Sequence, residues 1–427
     1  MKSPLFINLI DIFGIILLKI LLDFSYVYFV SPVFEYDGFT LNFNLINYIE
    51  GWIAYLLLYI FLKKNQNNIL YITLLISFLL LITPSSTLYA FKGESSFSFY
   101  VIVISYGFFL SLLTTKKLRL IFIKNTRIPI IALSLCVTLI VLGHYVLVVG
   151  LTNINFDISK VYGLRGEFGA LSNEGLFGYL NGWTIKVFNL FLIVWAIHAK
   201  KYKLFLLFVF FQISLFGLSG HKTVLFALFL LGGLYILDKY QNYSTILIYT
   251  ISSIVGLLLI YYFLTNELQL PSTILRRGFF VPTNLNYVYL DFFASHEYVY
   301  WSNSILKSFI HYPYDEQITH IIGAHLGYPD MGANTGIIGS GYMQMGIIGI
   351  FIYMVLMSFF INTINSFIEL PRWFINSVVL MPTLTAFISS DLLTTFFTHG
   401  LLVSIIVLYL YSSNQKILKF DKYETKI

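Results

Sequence analysis

The sequence predicts an all-α, polytopic integral membrane helix bundle of about 12 transmembrane helices, and three observations carry that expectation. Hydrophobic residues make up 58% of the 427 and charged residues only 11%, against about 25% charged in an average soluble domain, so lipid is the main solvent. The apolar runs are roughly 17 to 25 residues long, enough to cross about 30 Å of hydrocarbon as helices. None alternates with the period of an outer-membrane strand, and a helix satisfies its own backbone groups in lipid.

Taken in order, the first run, Met1 to Val30, has some features of a signal peptide. It is too long for one, carries Lys19 and Asp23, and ends in Ser31-Pro32 instead of a small-residue cleavage site, so it reads as a retained span. The predicted spans are 5–30, 44–62, 69–90, 97–114, 128–150, 180–198, 203–219, 223–238, 244–264, 337–361, 374–395 and 399–413. An even number of crossings places both termini on one side. That side gathers Lys2, Lys63-Lys64, the stretch Lys116 to Arg127, Lys200 to Lys203, Lys239, Arg372 and the tail Lys416 to Lys426, which makes it the cytoplasm. Opposite lie Lys92, Lys160, Arg165, Lys222, Arg276, Arg277 and Lys307, with Lys19 and Lys186 inside spans. The net charge of +6 is therefore a topology signal and not a footprint for nucleic acid. The single cysteine, Cys136, lies in an apolar run, so no disulfide staples the exported loops.

The chain reads as one integral domain, 1–427, with two exported segments long enough to carry function, 151–179 and 265–336. The longer one is rich in aromatics, among them Tyr287, Tyr289, Phe292, Phe293, Tyr298, Tyr300 and Trp301. These predict one or two short interfacial helices and an aromatic belt, with a sugar-stacking platform as the competing reading. Pro313, Gly323, Gly327, Pro329, Gly332 and Gly336 then break the segment into turns. The glycines from Gly336 to Gly349 predict close helix packing.

The short cytoplasmic loops leave no room for a nucleotide domain, and no phosphate-cradling loop, dinucleotide fingerprint or paired-aspartate metal motif occurs. No histidine pair has metal-site spacing, so neither metal nor cofactor is expected. An enzyme on the exported face must use a donor that carries its own activation, such as a lipid-linked diphosphate. Arg165, Lys222, Arg276 and Arg277 are the cations placed for such an anion, because guanidinium grips phosphate oxygens through paired hydrogen bonds. Snorkelling to lipid headgroups is the competing reading for a lone arginine at a helix end, and helix capping for Lys222. His221 beside Lys222 adds to the functional reading. Glu167, Asp291, His296, Glu297, His325 and Asp330 are candidates to deprotonate an attacking sugar hydroxyl. Asp23, Lys186 and Asp391 within apolar runs keep a proton-coupled transporter in view.

Leu164-Arg165-Gly166-Glu167, Ser219-Gly220-His221-Lys222-Thr223, and Arg276-Arg277 through Pro282 to Asp291-Phe292-Phe293 together resemble the Wzy-type polymerases of O-antigen and capsule repeat units. The resemblance runs on through Tyr312-Pro313-Tyr314, Ile322-Gly323, Ala333-Asn334-Thr335-Gly336, Gly341-Tyr342 and Gly346-Ile347-Ile348-Gly349. It covers roughly residues 160 to 355; the first five spans match only in hydropathy. It implies a GT-C-like bundle in a bacterial cytoplasmic (inner) membrane. There the growing glycan would pass from undecaprenyl diphosphate to an incoming lipid-linked repeat unit without metal or nucleotide. Those two lipid-linked oligosaccharides, a chain-length regulator and a flippase are the partners it implies. By that resemblance Arg165 and Arg276 or Arg277 hold the departing diphosphate near Lys222 and His221, and Glu167, His325 or Asp330 serves the acceptor hydroxyl. Asp291, Asn334 and Tyr342 are the further substrate-binding positions. O-antigen ligases share these features, but their His-x-Asn pattern is absent: His325 is followed by Leu326-Gly327, and Asn334 comes later. A flippase, the alternative from another class, would carry cations within the bundle and short loops on both sides.

Overall fold

The computed structural model describes residues 9–114, 118, 123, 125–157, 161–240, 242–367 and 370–412. Lys160, the tail from Lys416 and most of the Lys116 to Arg127 loop lie outside them. Among the described residues every regular element is helical. Among these described residues nine helices are long and apolar enough to cross a membrane, and three shorter apolar ones, Ser96–Leu112, Lys222–Leu237 and Arg372–Ile388, stand at other predicted span positions. Leu147 is 87% and Leu264 79% exposed, an outward apolar display that suits hydrocarbon and not water. By internal contacts the chain forms two compact units. Unit 1 holds Met1–Thr115, Lys239–Asn362 and Thr383–Thr395; unit 2 holds Lys116–Asp238, Thr363–Pro382 and Phe396–Ile427.

In unit 1 the first span runs Leu9–Asp37, past the Ser31-Pro32 where the sequence ends it. The turn at Tyr26–Val30 widens into π-helical geometry just before Pro32, which accommodates a ring that cannot donate to the preceding turn. Lys19 and Asp23 lie one helical turn apart and form a buried ion pair, and Thr87 donates to the same Asp23 carboxylate at 2.7 Å. Charges matched in this way are held inside an apolar helix as a pair. Tyr71–Phe91 is the central helix, almost wholly buried. Leu45–Lys63 packs on it and starts at Asn44, whose side chain accepts from the Ile46 and Asn47 amides at 2.9 and 3.1 Å.

One prediction for unit 1 is overturned. The segment 269–293 forms a continuous helical rod, and its last part, Val281–Phe293, is largely buried: Tyr287, Tyr289, Phe292 and Phe293 are core residues, not a membrane-surface belt. The Tyr287 hydroxyl lies 2.8 Å from Ser85 Oγ on the central helix, a buried polar pairing that hydropathy gives no sign of. The predicted span 337–361 stands as Ile337–Ile364, and it is bent. Ile337–Ile364 breaks at Met345 and Gly346, where Gly346 takes φ +61°. At the break Gly349 lies so close to Gly341 that a Cβ would stand 2.1 Å from the Gly341 carbonyl oxygen.

In unit 2, Arg127–Val149, Phe177–His198, Tyr202–Ser219 and Lys222–Leu237 pack around Val141, Tyr145, Leu215, Phe216 and Val224. Gln212 is fully buried and donates to the carbonyls of Ile185 at 3.3 Å and Val224 at 3.2 Å, and so pins two neighbouring helices. The last predicted span, 399–413, holds the helix Leu401–Ser412 in this unit.

Candidate functional site

Unit 1 contains a polar cavity of about 480 Å³, within the size range of small-molecule sites. Its wall is drawn from the whole 289–343 region: Tyr289, Asn303, Lys307, Tyr312, Gln317, Thr319, Asn334 and Ser340, closed by Ser390 and Asp391. For a chain this apolar, such a collection of hydroxyls, amides and one ammonium is a local reversal of composition. Hydroxyls and amides both donate and accept, which is the hydrogen-bonding pattern a sugar presents in return.

The sequence builds this wall through a few ties. Asn286 accepts from Thr335 Oγ1 at 3.2 Å and from the Gly339 amide at 2.9 Å, fixing the start of the bent helix to the rod. Tyr289 donates to the Ala333 carbonyl at 2.8 Å, and the Ala333 amide donates to the Thr319 carbonyl at 2.9 Å. Tyr300 and Trp301 both take left-handed backbone conformations, with φ +49° and +58°. Neighbouring non-glycine residues in that region are strained, and such strain persists where surrounding contacts over-determine it. Here Gln344 does so: its carbonyl accepts from the Tyr300 amide at 2.9 Å, and its side-chain oxygen from the Trp301 amide at 2.6 Å. The Trp301 indole then donates to the Tyr353 hydroxyl at 2.9 Å, which donates to Asp391 at 2.7 Å. The other Asp391 oxygen caps the following helix through the Leu393 and Thr394 amides at 2.9 and 3.1 Å. Burial raises the Asp391 carboxyl above its ordinary range, against the pull of those donors.

Of the predicted site residues in unit 1, Asn334 lines the cavity. Tyr342 is 5% exposed and packs edge to face with Tyr298 at 5.9 Å. Asp291 is exposed and accepts from Ser98 Oγ at 3.1 Å. His325 and Asp330 are exposed, with the His325 ring edge-on to Phe292 at 5.5 Å. Arg276 is already engaged: it pairs with Asp37 and lies 4.3 Å over the Phe34 ring, and the Tyr328 hydroxyl donates to the same Asp37 at 2.5 Å. Burial lowers the Arg276 pKa and Asp37 opposes that shift; a guanidinium stays charged regardless. Arg277, next to it, is exposed. Nearby in the chain fold, Lys92 donates to Glu94 at 2.5 Å and to Asn284 at 2.7 Å, an ion pair at the end of the central helix that sequence reading did not single out.

The remaining predicted residues belong to unit 2. Arg165 and Glu167 fall in the helix Val161–Ser172; Glu167 is exposed, and the Arg165 side chain is outside the described residues. The helix is anchored at its end, where the Ser172 carbonyl accepts from Asn181 at 2.7 Å and sits 3.0 Å from His144 Nε2. His221 stands at the N-cap of Lys222–Leu237, its amide donating to Ser219 Oγ at 3.3 Å, and Lys222 opens that helix. Among the described residues no three histidine, cysteine or acidic side chains converge as metal ligands. Compared with known proteins, the chain matches no family model, no curated protein and no solved structure.

Proposed function

We propose that the protein is a membrane glycosyltransferase that polymerises lipid-linked oligosaccharide repeat units on the exported face of a bacterial cytoplasmic membrane, with both termini in the cytoplasm. The observation that carries this reading is the 480 Å³ cavity, whose hydroxyl and amide lining is suited to sugar rings. It is built from the 265–336 segment and its flanks, the region that the distribution of basic residues puts outside the cell. A lipid diphosphate is a good leaving group once its charge is held, so the protein's task is to position two glycans and neutralise one anion.

In this reading Asn334, Asn303 and Gln317 orient sugar hydroxyls and Tyr289 and Tyr312 supply apolar faces with polar tips. Within unit 1, Arg276 or Arg277 faces the diphosphate and His325 or Asp330 takes the acceptor proton; Arg165, Lys222 and Glu167, all of unit 2, are the further positions that the family resemblance names. Arg276 enters this role only by exchanging Asp37 for phosphate oxygens, a like-for-like swap of anions. Removing one such donor typically costs about 3 kcal/mol of transition-state stabilisation, some hundredfold in rate. The test is complementation of cells lacking the gene, read on a glycan gel. Arg165→Ala, Arg276→Ala and Asn334→Ala proteins that insert normally should leave single capped repeats in place of a long-chain ladder. A normal ladder from all three refutes the assignment. Loss of a flippase instead removes all exported polymer, and loss of a ligase leaves polymer on its lipid carrier, so the same gel separates the three activities.

A further inference from the structure

We infer that the cavity of unit 1 takes an acidic sugar, one whose ring carries a carboxylate, and that Lys307 is the residue that selects it. This rests on the glycosyl-transfer reading for why a glycan enters the cavity, and what it adds is the charge of that glycan. The lining has already committed most of its hydroxyl protons. The Ser302 hydroxyl donates to the Val299 carbonyl at 2.6 Å, that of Ser340 to the Gly336 carbonyl at 2.9 Å, and that of Thr335 to the Asn286 side chain at 3.2 Å. Tyr289 donates to the Ala333 carbonyl at 2.8 Å and Tyr312 to the Glu316 carbonyl at 2.7 Å. A hydroxyl has one proton and two lone pairs, so these five groups of the lining can only accept from a ligand. They receive the O–H groups of a sugar and offer nothing to an oxygen that has no proton of its own.

Asn303 and Lys307 supply the complement. The buried Gln344 amide donates to the Asn303 side-chain oxygen at 3.3 Å, which leaves the Asn303 NH2 group as the end available to a ligand. Lys307, four residues on, brings three N–H donors and a full positive charge, and it is the one cation among the described residues that line the cavity. Four other cations of this unit have carboxylates of their own: Lys19 has Asp23, Lys63 has Asp11, Lys92 has Glu94 and Arg276 has Asp37. Among the described residues no carboxylate pairs with Lys307. The carboxylate in the cavity wall is engaged elsewhere, since one Asp391 oxygen accepts from Tyr353 and the other from the Leu393 and Thr394 amides. A carboxylate on the ligand has lone pairs only, and so takes Lys307 and Asn303 as donors through a charge-assisted contact. The hydroxyls of the same ring give their protons to the five acceptors. A neutral hexose would leave the ammonium without a counter-charge, and a diphosphate would bring its oxygens against hydroxyl lone pairs that repel them.

Binding tests this without any polymer being made. The purified full-length protein in nanodiscs of neutral lipid is titrated, with saturation-transfer NMR on the ligand, with the methyl glycosides of glucuronic and galacturonic acid. The methyl glycosides of glucose and galactose, and glucose 6-phosphate, are titrated separately. The two acids should bind about tenfold or more tighter than their neutral counterparts, as expected for hydrogen bonds to a charged group, and the advantage should shrink as ionic strength rises. Lys307→Gln should bring the acids down to the level of the neutral sugars, while Lys307→Arg keeps the preference. Lys307 is exposed, and binding of the neutral glycosides unchanged in Lys307→Gln shows that the cavity has kept its fold. Equal binding of acids and neutral sugars by the native protein, or a preference that survives Lys307→Gln, overturns the inference and leaves the glycan cavity standing. Tighter binding of glucose 6-phosphate than of either acid overturns the carboxylate in favour of a phosphorylated sugar. Binding of no sugar of any kind overturns both the inference and the use of this cavity by a polymerase.

Discussion

The cavity of unit 1 and the helix-packed core of unit 2 are built in opposite ways. The cavity is assembled by the stretch 294–336, turns around one short helix, Ile318–His325, folded between a buried rod and a bent helix, and its lining is mostly neutral. In unit 2 the irregularities among the described residues are defects in otherwise regular helices: a π-turn, a left-handed glycine and a tight turn between two helices. The difference teaches how an apolar chain acquires chemistry. In unit 1 neutral hydrogen-bonding groups are gathered from helices and the turns between them around a cavity, whereas in unit 2 a buried amide such as Gln212 pins neighbouring helices together.

The comparison breaks most severely at the glycines that let backbones touch. Gly349→Val in unit 1 and Gly182→Val in unit 2 each drive a side chain onto a carbonyl oxygen that cannot move aside. Each should destabilise its unit by about 3 kcal/mol or more, seen as a fall in the unfolding temperature of detergent-purified protein. A next, smaller effect separates capping from charge at the cavity edge. Asp391→Ala removes both the helix cap and the acceptor for Tyr353 and should cost about 1 to 2 kcal/mol, while Asp391→Asn keeps an oxygen for the Leu393 and Thr394 amides and should cost less than half of that. The third effect is a slope with pH. The Asp391 carboxyl is raised in the folded protein, so the unfolded chain releases its proton first and folding stability falls as pH rises from about 4 through the raised value. Unfolding temperatures measured across that window should decline in the native protein and flatten in Asp391→Asn. The smallest expected effect is at the surface: Asp330→Asn, on an exposed turn, should leave stability within about 0.5 kcal/mol, so any loss of the glycan ladder there reports on function alone.

Residues that the sequence marked out were distributed in an instructive way. The Arg276-Arg277 pair looked like a free cationic patch, yet Asp37 from the far end of the first span holds Arg276. Nothing near Asp37 in sequence announces it. Asp391 read, with Asp23 and Lys186, as a charge in an apolar run that keeps a proton-coupled transporter in view, and it stands as a helix cap at the edge of a cavity, because the predicted span 374–395 ends at Ile388 and a new helix starts at Leu392. Lys307, Asn303 and Gln317 carried no motif at all. The nearest written signal for that cavity was the crowd of aromatics and prolines from Tyr287 to Tyr314, which said that the segment packs but not around what.

What the sequence determined by itself is the solvent and the spacing. Hydropathy is a sum over neighbouring residues, so the positions of the apolar helices follow from local composition without knowledge of their partners. What only the tertiary structure decided is where those helices break and which distant polar groups meet at the breaks. Whether Gly400 or Gly346 ends a helix, and whether Arg276 meets Asp37 or lipid, depends on contacts between residues far apart in the chain. Those contacts become favourable only once apolar surfaces have brought the helices together, since hydrogen bonds and charges in low dielectric take their worth from the neighbours that packing supplies.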